Sequence, residues 1–129
     1  MMRVIILSIL LVGFLSACNT SRPLTNLNNY SIEYLVDEDE TVEDIKLSIL
    51  RAGQVLGWKM DAVKPGLIRG TLHLRAHTAV VDIPYTLNDY SILYVDSKNL
   101  DYNGSTIHRS YPRWVNNLKA KIDEYIASR

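Results

Sequence analysis

The chain contains one cysteine, one phenylalanine and four prolines in 129 residues. A single thiol excludes an internal disulfide and any cysteine-based metal site, so neither kind of cross-link holds the fold. Neither sign of charge is in excess, with 14 basic residues against 14 acidic, which leaves no electrostatic footprint for DNA or RNA. The charged fraction, 22%, is that of a folded domain and not of a disordered tail. No apolar run reaches the roughly 20 residues that a membrane-spanning helix needs. Gly-rich phosphate loops, a His-Glu-x-x-His helix and a basic stripe are also missing. The length admits one domain, so a multidomain enzyme is excluded.

What the chain does have is an uneven distribution of apolar residues. Val4 to Leu15 is a run broken only by Ser8 and Gly13, preceded by the single cation Arg3 and followed by polar Asn19, Thr20 and Ser21. That is the layout of a secretory signal, too short to span a bilayer. The run ends Leu15-Ser16-Ala17-Cys18, which resembles the lipobox of bacterial lipoproteins at all four positions. The resemblance implies cleavage between Ala17 and Cys18, diacylglycerol on the Cys18 thiol and acylation of the new amino terminus. Residues 1–17 are then a removed signal peptide. By resemblance to enterobacterial lipoproteins, Asn19 stands where an aspartate commonly causes inner-membrane retention, so the expected location is the outer membrane, facing the periplasm. Several acyl chains, at about 0.8 kcal/mol per buried methylene, make such an anchor nearly irreversible.

Residues 18–29 read as the lipidated cysteine and a flexible spacer of Asn, Thr, Ser and Pro without period. Residues 30–129 read as one α+β domain. Tyr30, Ile32, Tyr34 and Val36 alternate with Ser31, Glu33 and Leu35, of which only Leu35 breaks the pattern, and predict a first strand. Thr41 with Asp44 approximates a capping box for a helix over about 41 to 56, with Ile45, Ile49, Ala52 and Leu56 on its stripe, Val42 and Val55 joining them, and Gly57 at its end. Trp58, Met60 and Ala62, then Lys64-Pro65-Gly66, then Ile68, Leu72 and Leu74 predict a hairpin. Two further strands follow, Ala79 to Tyr85, where Pro84 suggests an edge, a bulge or a strand end, and Tyr90 to Val95. A last helix over about 110 to 127 carries Val115, Leu118, Ile122 and Ile126 on one stripe. The order β-α-β-β-β-β-α predicts a two-layer sandwich, an antiparallel sheet of about five strands with two helices on one face.

Gly57-Trp58, Pro65-Gly66, Tyr90 to Tyr94 with Ser97, Asn99, Leu100 and Tyr102, and Ile107-His108 with Tyr111, Trp114 and Leu118 together give a second likeness. The domain resembles a group of small uncharacterised proteobacterial envelope lipoproteins, and that resemblance implies no activity.

Candidate chemistry is sparse. His73, His77 and Asp82 invite a zinc reading, but residues four apart on a strand lie roughly 13 Å from each other, so they read as solvated strand positions and no metal site is assigned. Asp37, Glu38, Asp39, Glu40, Glu43 and Asp44 lack the alternation and glycine of a calcium loop and read as helix-capping acids. Trp58 and Trp114 sit on apolar stripes and read as core rather than as a sugar platform. The segment from Ser97 to Arg113 concentrates polar side chains around one loop. His108 with Asp101 and Ser105 or Ser110 can be drawn as a triad, yet no nucleophile elbow accompanies it, so no catalytic residue is assigned. Tyr102, His108, Arg109 and Arg113 are the candidate binding residues. The expectation is a non-catalytic, membrane-tethered interaction module of the cell envelope. It needs no cofactor, is held to the bilayer through acylated Cys18, and recognises an envelope protein or glycan but not nucleic acid. The alternative is a carrier or sensor with a small apolar ligand between helices and sheet.

Overall fold

A computed structural model describes residues 19–129. The signal peptide, its cleavage point after Ala17 and the lipidation of Cys18 lie outside the described residues. In chain order the elements are β1 (Ser21–Pro23), β2 (Leu27–Ser31), α1 (Val42–Val55), β3 (Lys59–Lys64), β4 (Leu67–Leu74), β5 (His77–Pro84), β6 (Asp89–Lys98), β7 (Thr106–His108) and α2 (Ser110–Ala127). Strands β2-β6-β5-β4-β3 form an antiparallel five-stranded sheet, and β1 pairs with β7 in a second, two-stranded one. The α+β sandwich is therefore as the hydrophobic pattern predicts, with an added small sheet.

Both helices lie on the apolar face. Ile68, Leu72, Ala79, Val81, Ile83 and Ile92 from the sheet meet Ile45, Ile49 and Ala52 of α1 and Val115, Leu118, Ile122 and Ile126 of α2 in one buried cluster. Each fully buried large side chain there contributes about 1.5–3 kcal/mol relative to exposure, which is what fixes the helices to the sheet. Thr41 and Asp44 make the reciprocal capping box that starts α1. Val42 and Val55 are exceptions to the predicted stripe: they stand half exposed at the two ends of α1, whereas Ser48 and Gly53 are buried. A Cβ at Gly53 would run into the flexible Met60 side chain, so the glycine leaves that room to Met60 between α1 and β3.

Two expectations at the amino-terminal side are corrected. Residues 19–29 are not a flexible spacer. Ser21, Arg22 and Pro23 pair with His108, Ile107 and Thr106, the Leu24 N–H donates to the Ser105 carbonyl, and the Arg109 N–H donates to the Thr20 carbonyl at 2.8 Å. The first strand of the main sheet runs over Leu27–Ser31 and not over 30 to 36. Its ladder stops at Ser31 opposite Asp89, because the partner β6 begins there. The Ile32 N–H donates to the Asn88 carbonyl, Ile32 turns into the core, and Tyr34 is left 68% exposed. The alternation of Tyr30, Ile32, Tyr34 and Val36 outlasts the strand that would have used it.

Candidate functional site

The loop from β6 to α2 is held rather than mobile in its hydrogen bonding. Asn99 and Asp101 both adopt left-handed backbone, with φ of 57° and 53°, and buried Leu100 lies between them. The Asn99 side-chain amide donates to the Ala76 carbonyl at 2.6 Å, and the His77 Nδ1–H donates to the Asn99 carbonyl at 2.7 Å. The Asn103 side-chain oxygen accepts from the backbone of Ser105 and Thr106 at 3.0 and 2.8 Å, closing the turn before β7. The Asn99 and Asn103 side chains of this polar segment therefore serve its own closure.

The four predicted binding residues do not converge. Tyr102 leans on Tyr94, with ring centroids 4.5 Å apart, beside a hollow of about 460 Å³ lined by β6 and the loop. His108 packs parallel to His77 at 6.2 Å, and its Nδ1 accepts the Ser110 N–H at 3.1 Å. That bond satisfies the first N–H of α2 from the residue before its N-cap, Arg109. It also occupies the nitrogen that a triad would orient with a carboxylate, while the Ser105 hydroxyl donates to Asn103 instead. His73 bonds the Thr78 hydroxyl and Asp82 takes a bidentate pair from Arg69 at 2.8 and 3.0 Å, so His73, His77 and Asp82 have separate partners. Trp58 is buried in the core.

Arg109 and Arg113 do share a site. They line an open groove of about 620 Å³. One wall is a single face of α2, where Arg109, Pro112 and Arg113, then Asn116 and Asn117, recur at the three- and four-residue spacing of a helix. The other wall comes from β1 and its continuation, Arg22, Pro23 and Thr25. Arg22 donates through Nη1 to the carbonyls of Asn19 and Ser21 at 3.1 and 2.9 Å, which ties its guanidinium to the backbone beside it. Among the described residues, none of the three arginines forms an ion pair, and no carboxylate lines the groove. Chemically, the groove offers planar donors suited to an anionic oxygen group and two carboxamides for polar contacts around it.

Sequence reasoning missed Arg22, Thr25, Asn116 and Asn117. The asparagines had a readable signal, since they continue the Arg109, Arg113 face of α2 without an acidic residue. Arg22 had none, because its position depends on β1 pairing with a segment far along the chain.

The acidic stretch acts on the fold. The Asp44 carboxyl is held below the usual range, first by the Thr41 backbone N–H, then by the Thr41 hydroxyl, with Arg129 adding to it. Glu40 is the reverse case: both of its carboxylate oxygens are out of water without a partner, and burial, then the charge of Asp37, push its pKa up. Comparison with protein-family models, with curated proteins and with solved structures finds no match for this chain, so the site is interpreted from its own geometry.

Proposed function

We propose that this protein is a membrane-tethered, non-catalytic interaction module of the bacterial cell envelope. Acylated Cys18 is its anchor, and its place is the periplasmic side of the outer membrane. The observation that carries the reading is the groove of Arg22, Arg109 and Arg113, a polar recognition surface without a nucleophile and base in contact, at the end of the domain where the chain leaves towards Cys18. The Leu15-Ser16-Ala17-Cys18 motif supports the anchor, and Asn19 supports the outer membrane. No described helix is long and apolar enough to cross a membrane, so attachment in this reading comes from lipid.

The carrier alternative is less favoured. The mostly apolar pocket between Leu56, Trp58, Leu72, Leu74, Trp114 and Asn117 holds about 110 Å³, below the roughly 300 Å³ at which small-ligand sites begin. The tether is tested by Cys18→Ser, followed by membrane fractionation and intact mass. The expected result is loss of the acyl mass and of stable membrane attachment. Unchanged mass and fractionation would reject the tether.

A further inference from the structure

Arg69 and Arg129 are each paired with a carboxylate, and Arg51 and Arg75 stand singly on the surface, whereas Arg22, Arg109 and Arg113 line one groove. The protein as a whole is neutral, so this clustering is not the by-product of a basic surface. Guanidinium groups match phosphate oxygens with two parallel hydrogen bonds, which is a geometry that lysine cannot offer. Thr25, Asn116 and Asn117 bring hydroxyl and carboxamide groups to the same walls, suited to the ester oxygens and hydroxyls around a phosphate.

Position supplies the second argument. The Arg109 N–H bonds the Thr20 carbonyl at 2.8 Å, and two residues of chain span at most roughly 7 Å. Thr20, held at the wall of the groove, is two positions along the chain from Cys18. With Ser21–Pro23 and Leu27–Ser31 in strands and Thr20 bonded to Arg109, no long spacer separates the groove from an anchor at Cys18.

The geometry points to a phosphate-binding groove formed by Arg22, Arg109 and Arg113, whose phosphate is that of an anionic phospholipid headgroup in the leaflet that holds the anchor. The lipid as source rests on the tethered reading above; the phosphate chemistry does not. A basic residue at an anionic lipid surface strengthens attachment about fivefold, so the three together hold this face down about a hundredfold more firmly than the acyl anchor would alone.

The test uses the full chain, labelled with nitrogen-15, in non-ionic maltoside micelles, and reads the Nε–H resonances of the arginines. One arm adds phosphatidylglycerol to the micelles, a second adds phosphatidylcholine, and a third adds inorganic phosphate. The expected result is that phosphatidylglycerol at a few mole per cent shifts Arg22, Arg109 and Arg113, and leaves the exposed Arg51 and Arg75 in place. Phosphatidylcholine should shift none of the five, and Arg113→Ala should weaken the response of the other two about fivefold. The lipid assignment is overturned if inorganic phosphate shifts the three and phosphatidylglycerol does not. The site itself is overturned if nothing moves them, or if Arg51 and Arg75 move equally. Micelles present the lipid whether or not Cys18 is acylated, so failure here and failure of the Cys18→Ser test are separate results.

Discussion

The two ends of α2 use arginine in opposite ways. Just beyond its carboxyl end, Arg129 donates from Nε to the buried Ser48 hydroxyl at 2.8 Å and from Nη1 to Asp44 at 2.9 Å, joining the end of α2 to the first turns of α1. At the amino end, Arg109 and Arg113 face a groove with no carboxylate in it. One arginine is part of the fold, and the other two are available to something outside it. The pairing across the helices also closes a network, since Asp44 already caps α1 through Thr41. A charge that is satisfied internally stabilises; a charge left unmatched beside an open groove recognises.

The contrast can be broken in order of effect. Leu118 is fully buried in the stripe shared by both ends, so Leu118→Ala should cost about 2–5 kcal/mol, read as a lowered denaturant midpoint with binding lost only through unfolding. Arg129→Ala removes the partner of a buried hydroxyl and should cost about 1–2 kcal/mol in the same assay. A cost near zero would make the closed end no different from the open one. Glu40 gives a smaller, pH-dependent effect. Its folded pKa is raised, so protonation favours the fold, and that contribution fades as pH climbs through the raised value. Glu40→Gln should therefore match or exceed the wild type in stability at neutral pH, with the gap closing below about pH 4.3. A Gln variant less stable at neutral pH would show that the carboxylate is bonded after all. Smallest of all, Arg113→Ala should change stability by less than about 0.5 kcal/mol while weakening whatever the groove holds.

The same two ends differ in how legible they were. Periodicity and capping place α2 over 110 to 127 and α1 within one residue of its observed ends, since each signal lies within the helix itself. The Lys64-Pro65-Gly66 turn and the hairpin around it were equally local. The amino-terminal strands were not. A three-residue strand has no period to detect, and β1 exists because Ile107 and its neighbours come back to pair with Arg22 from more than 80 residues away. Half of the groove was thus readable as a polar face of α2, and half, with Arg22, depended on a long-range ladder. Tyr102 and His108 were drawn in by polarity alone, whereas their neighbours turn them to packing and to bonding the first N–H of α2.

The most direct test of the account is hydrogen exchange along α2 in the full chain, compared between detergent and its own envelope membrane. The account predicts added protection for β1 and for the turns carrying Arg109 and Arg113, and none for the turn before Arg129. Protection that is equal at both ends, or confined to the Arg129 end, would contradict it.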